Sequence, residues 1–156
     1  MTDGDDLLVG IDPGKNGGIA WQFADGLAAA EKMPATELDV VEMLRDLSSD
    51  SEKRVAYIEK VGGFIAGRPA PGSAMFNFGK NYGVLIGALL LLKFKIVEIT
   101  PQNWQKRLSI ALEKGSTTDR KNFLKSAAQK LNPELKITLA TADALLVLEA
   151  GRRAEK

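Results

Sequence analysis

The chain has 156 residues, 45% of them hydrophobic and 26% charged, which fits one domain able to bury a real core and argues against wholesale disorder. It has no cysteine and no histidine, which excludes disulfides, thiolate or imidazole metal ligands, and Ser-His-Asp or Cys-His catalysis. The net charge of +1 hides an asymmetry: residues 1–59 carry 13 Asp/Glu against 5 Lys/Arg, and residues 60–156 carry 7 against 16, so a polyanionic partner is expected for one face.

The opening MTDGDD is acidic and is not a secretory signal. Leu7–Asp12 reads as a buried strand ending in a carboxylate, and Pro13–Gly18 as a turn. Ile19–Phe23 and Leu27–Met33 read as two further strands joined at Asp25-Gly26, so the chain opens as a β-meander. Thr36 is a candidate N-cap for a helix to about Leu47, with Leu38, Val41, Leu44 and Leu47 on one face. Arg54–Glu59 is a fourth strand, again ending in a carboxylate. Val61–Gly72 holds four glycines and two prolines and reads as a loop.

A long helix is expected from Ser73 to about Leu92, a fifth strand over Lys95–Ile99, and a short helix from Pro101 to about Leu108. Thr118 starts another helix to Leu131; Thr138 or Thr141 starts the last, and Gly151 ends it. The longest apolar run, Val84–Leu92, is too short to cross a bilayer and is bracketed by Lys80, Lys93 and Lys95, so a soluble, cytoplasmic protein is expected. The order βββαβαβ with trailing helices implies a mixed sheet flanked by helices in a single domain over residues 1–156.

The segment Ile11-Asp12-Pro13-Gly14 followed by Gly17-Gly18 is neither a P-loop, lacking GxxxxGK[ST], nor an EF-hand, since the twelfth loop position is Phe23. A similar strand-turn-strand cradles phosphate in the actin-like ATPases, which need two such domains. What remains is an aspartate at a strand end, beside glycines that let a ligand backbone approach closely. Taken alone, Asp12 equally suits a hairpin cap. Glu59 also ends an apolar strand, and Asp143 sits among Ala140, Ala142, Ala144, Leu145 and Leu146. A carboxylate in such surroundings is costly unless paired or bound to a cation. Three carboxylates on separate elements make a hard-cation site suited to Mg²⁺ or Mn²⁺ if they converge, and such a site serves phosphoryl chemistry without histidine.

Five segments in order, DPGKNGGIA, IEKVGG, SAMFNFGKNYG, TPQNWQK and TADALLVLEAGRR, resemble the RuvC-like Holliday junction resolvases, in particular the short bacteriophage and prophage forms. The resemblance runs from about Leu7 to Arg153. It implies an RNase H-like fold, a five-stranded mixed sheet whose first three strands are antiparallel. It implies a homodimeric endonuclease that nicks branched DNA using two Mg²⁺ per site, with Mn²⁺ as a substitute, in a bacterial or phage-infected cell. Carried over by motif, Asp12, Glu59 and Asp143 are the implied catalytic and metal-binding residues. Many of these enzymes carry another acid or a histidine three positions before the last aspartate; here that position is Ala140. Two other readings follow: a YqgF-like RNA-processing nuclease, and a junction-binding protein without cleavage activity.

The long helix carries Gly79, Gly83 and Gly87 on one stripe. Three interior glycines cost roughly 1 kcal/mol each relative to Ala, so close packing is expected there, against the protein's own sheet or across a twofold dimer. Met75, Phe76, Phe78 and Tyr82 are expected mostly in the core. Phe64 and Arg68, in the preceding loop, are candidates to wedge at a branch point and to bind phosphate. Between Lys106 and Lys136, eight basic residues face only Glu113, Asp119 and Glu134. Lys106, Arg107, Lys121 and Lys125 are the DNA-binding candidates there, against the alternative of a solvated helix face. Trp104 is expected to anchor the short helix.

Overall fold

The computed structural model describes residues 6–60, 64–65, 68–69, 72–112 and 114–155. Strands β1 (Leu7–Asp12), β2 (Gly18–Gln22), β3 (Ala28–Lys32), β4 (Arg54–Glu59) and β7 (Lys95–Ile99) form one sheet in the order β3-β2-β1-β4-β7. The first three are antiparallel; β4 and β7 run parallel to β1. This is the mixed, RNase H-like arrangement expected from the element order and the resemblance.

The sheet has two apolar faces because its strands alternate. Leu7, Val9 and Ile11 of β1 and Ala56 and Ile58 of β4 face a core shared with α1 (Glu37–Ser48) and α2 (Gly72–Leu91). Leu8 of β1 and Val55 and Tyr57 of β4 face the other core, against α5 (Leu139–Ala154), with α3 (Pro101–Arg107) and α4 (Thr117–Leu131) packed around it. Ile11 and Ile58 are fully buried. Truncating such a residue to Ala costs about 2–5 kcal/mol. By the same alternation, Asp12 and Glu59, one residue further on, belong to the α5 face.

The helix ends follow their sequence signals. Thr36 caps α1 by accepting from the Asp39 amide, and Ser116 and Thr138 form capping boxes with Asp119 and Thr141. Thus α4 begins at Thr117, and the carboxylate of Asp119 is engaged in a cap. At the end of α2, Lys93 takes φ 59°, and the Phe94 amide donates to the Leu89 carbonyl at 2.9 Å. This is a Schellman ending without glycine, closed by the buried Leu89–Phe94 contact. Arg54 donates to the Leu92 carbonyl at 2.7 Å, tying this end to β4.

Four expectations change. The segment read as a loop holds a small hairpin, β5 (Phe64–Ile65) with β6 (Arg68–Pro69); its other residues lie outside those described. Gly151 does not end α5: the helix runs on to Ala154, and the ring of Tyr57 occupies the space a Cβ at 151 would need. The stripe Gly79, Gly83, Gly87 does not pack on the sheet, since a Cβ at each would meet nothing within 4 Å among the described residues. Phe76 is 73% exposed beside that stripe rather than buried, as are Leu90 and Leu91 near its other end. Met75, Phe78 and Tyr82 are half-buried. At 20 residues α2 is long and apolar enough to cross a membrane by length and composition, although Leu85, Ala88 and Leu89 build one side of it into the core.

Candidate metal centre

Parallel pairing sets Ile11 of β1 opposite Ile58 of β4. Asp12 and Glu59 therefore leave adjacent strand ends side by side, on the face covered by α5. Asp143 comes down to them because two strand glycines admit the helix backbone. A Cβ at Gly10 would lie 2.5 Å from the Ala144 carbonyl oxygen, and one at Gly18 would lie 2.5 Å from that of Ala140. These carbonyls flank Asp143 in sequence. The close approach expected of a ligand backbone is thus made by the protein's own last helix.

Each of the three acids offers one carboxylate oxygen such that the three lie within 4.8 Å of one another. The electrostatics reflect this crowding. Burial, then the charges of Glu59 and Asp143, push the Asp12 carboxyl up to about 8, against the opposing pull of Lys121. Burial pushes Glu59 to about 7; a hydrogen bond from Trp104 opposes the rise and Asp143 adds to it. Burial pushes Asp143 to about 6, again opposed by Lys121. Three half-buried carboxylates this close, with one ammonium near them, form a proton-holding cluster that a hard divalent cation would relieve. The donor set is all oxygen and fits Mg²⁺ or Mn²⁺.

The other site candidates are distributed differently. Lys121, expected as a phosphate contact, lies near enough to Asp12 and Asp143 to act on both carboxylates, on an exposed turn of α4. Lys125, one turn on, is half-buried. Lys106 and Arg107 are exposed at the end of α3. Phe64 pairs with Pro69 and Arg68 with Ile65 in the β5–β6 hairpin, and the side chains of Phe64 and Arg68 lie outside the described part of the structure, as does Glu113. Trp104 is 1% exposed, and its indole N–H donates to Glu59 Oε2 at 2.8 Å. Ala140 is half-buried at the start of α5 and brings no fourth ligand.

No family model and no curated protein sequence matches the chain. Among solved structures, RuvC of Thermus thermophilus in complex with a Holliday junction substrate superposes with a TM-score of 0.59 at 12% identity, over 93% of this chain and 91% of that one. The T. thermophilus RuvC structure matches with a TM-score of 0.55 at 13% identity, over 95% and 96% of the two chains. Across nearly its whole length, therefore, the chain has the fold of RuvC, and its three clustered carboxylates lie at the strand ends and on the last helix of that fold.

Proposed function

We propose that the protein is a divalent-cation-dependent endonuclease that nicks branched DNA, Holliday junctions above all. The observation that carries this reading is the convergence of Asp12, Glu59 and Asp143, from three separate elements, on a RuvC fold. The three carboxylates would hold two Mg²⁺, with Mn²⁺ able to substitute. Bound there, divalent ions supply an activated water and stabilise the leaving 3′-oxygen of an in-line displacement. The chain's own part is to hold the carboxylates close together, so that a cation displaces their protons, and to place phosphates beside them. No histidine is required. The basic surface of α3 and α4 binds backbone without reading sequence.

Lys121 couples those two tasks, since its charge opposes the upward shifts of Asp12 and Asp143 and it lies on the basic helix. Changing Lys121 and Lys125 together to Ala should weaken junction and duplex binding alike. The slope of log K against log salt should fall by about 2, near 0.9 for each phosphate no longer neutralised. Unchanged affinity and slope, measured by fluorescence anisotropy across a salt series, would mark both as solvated surface residues.

The working unit in this reading is a twofold dimer joined through α2, matching the near-twofold symmetry of a four-way junction. The open stripe Gly79, Gly83, Gly87, flanked by exposed Phe76, Leu90 and Leu91, supports it. Because a Cβ at 83 meets nothing within 4 Å among the described residues, Gly83→Leu should leave the fold intact while weakening the dimer tenfold or more. Sedimentation equilibrium reads this directly; a wild-type monomer at micromolar concentration would count against the dimer.

A panel of four-way junction, flap, duplex and RNA substrates, each with Mg²⁺ and with Mn²⁺, tests the function. Paired nicks in the junction support it, and preferential cleavage of RNA supports an RNA-processing nuclease instead. Ala140 favours one further reading, a junction-binding protein that does not cut. Tight junction binding with no cleavage in either cation would establish that one.

A further inference from the structure

Glu59 has the longest and most flexible side chain of the three acids, and the other two carboxylates repel it. Left alone, it would swing towards water. Among the described residues, one side chain donates a hydrogen bond to it: Trp104, across 45 positions of sequence. An indole has a single donor, so that N–H is committed to the carboxylate.

The donor is also held rigidly. Trp104 lies on α3, whose first turn is fixed by the Thr100 cap and by Pro101. The helix ends in a tight turn with Ser109 at φ 55° and the Ile110 amide donating to the Gln105 carbonyl at 2.9 Å. The indole itself is buried with Ile99, Leu124, Ala128 and Ile137 in the core beneath α5. A core tryptophan needs a partner for its N–H, and any nearby backbone carbonyl would serve that purpose. Here the N–H goes to one oxygen of the carboxylate that meets Asp12 and Asp143, and leaves the other oxygen without a protein donor among the described residues.

We infer that Trp104 is a positioning residue for the cation site: its indole N–H fixes the Glu59 carboxylate in the orientation that binds a divalent ion. The inference rests on the proposed metal site and adds a residue outside the three acids. Groups that orient a metal ligand typically change affinity 10- to 100-fold when removed.

The cleanest test replaces one atom. In a Trp21→Phe background, Trp104 is substituted with the isosteric analogue that has sulfur in place of the indole N–H. Ring volume is kept and the donor is lost. Trp104→Phe, made genetically, is the second variant. Mn²⁺ affinity is measured from the free-ion electron paramagnetic resonance signal, without DNA, and thermal unfolding is followed alongside. A 10-fold or greater loss of Mn²⁺ affinity in the sulfur analogue, with an unchanged unfolding midpoint in chelator, is the expected result. In ¹⁵N-labelled Trp21→Phe protein, the Trp104 indole resonance should also shift when Mg²⁺ is added, and should not do so once Asp12 is Asn.

Mn²⁺ affinity within twofold of the parent in a folded analogue overturns the inference and leaves the metal site standing. Trp104 is then a core anchor only. A parent protein that binds no Mn²⁺ overturns the site and the inference together. If the analogue unfolds, an Mg²⁺-insensitive indole resonance in the parent overturns the inference on its own.

Discussion

Asp12→Asn is expected to abolish junction nicking, by about 10³-fold or more, while leaving junction binding intact or tighter. The substitution keeps the shape of the side chain and removes one of three crowded negative charges. Cation binding loses an anionic ligand. Phosphate binding loses a source of repulsion beside the proposed site. A gel assay of nicking, paired with anisotropy on the same junction, separates the two effects. Undiminished nicking would remove Asp12 from the site.

The same cluster should govern how stability depends on pH when divalent cations are absent. Asp12, Glu59 and Asp143 bind their protons more tightly in the folded protein, at about 8, 7 and 6, than in the unfolded chain, where ordinary values near 4 apply. Between about pH 4 and pH 8 the folded state therefore carries more protons than the unfolded state, and stability falls as pH rises through this window. The contribution is fully present below about pH 4 and is lost above about pH 8. In chelator the unfolding midpoint should drop by about 5–10 °C between pH 5 and pH 8, as far as these groups control it. Millimolar Mg²⁺ or Mn²⁺ should reverse the drop, because ion binding displaces the protons and grows with pH. Asp12→Asn, which removes the most strongly shifted acid, should raise stability in chelator at pH 8 by about 2–4 kcal/mol and flatten the profile. Differential scanning calorimetry across the pH range checks all three statements. A flat profile that ignores both chelator and cation would mean that the carboxylates do not share a site.

The three acids were legible in the sequence because each interrupts or ends an apolar run, where an isolated charge needs a reason. The sheet was legible from strand order, since short β-rich runs alternate with helical periods. What escaped was whatever depends on a missing atom or on a distant partner. Gly10 looks like any strand residue until Ala144 is seen against it, and Gly151 reads as a helix stop until the ring of Tyr57 occupies its place. Both glycines answer to a neighbour far along the chain rather than to local backbone preference. The Trp104–Glu59 bond joins residues 45 apart, and no local pattern marks it. Lys121 stands out by its charge, which is visible in sequence. Its influence on the carboxylates depends on how α4 packs against α5, which is not. The small hairpin at Phe64–Pro69 hid within a glycine- and proline-rich stretch, where strands of two residues leave no alternation to read.

The seating of α5 on Gly10 and Gly18 has a consequence for biosynthesis. Asp12 and Glu59 end two strands that pair directly with each other and precede α5 in the chain. The third carboxylate is at position 143, on the last helix, and reaches the others only when that helix lies down on its two glycine footholds. A chain stopped before that docking lacks the third ligand, and it also lacks the helix against which α4 packs. In the proposed function, the ligand set and the seat of the basic helix would then be completed by one event, the docking of α5, so that cutting and phosphate binding by α4 would be gained together.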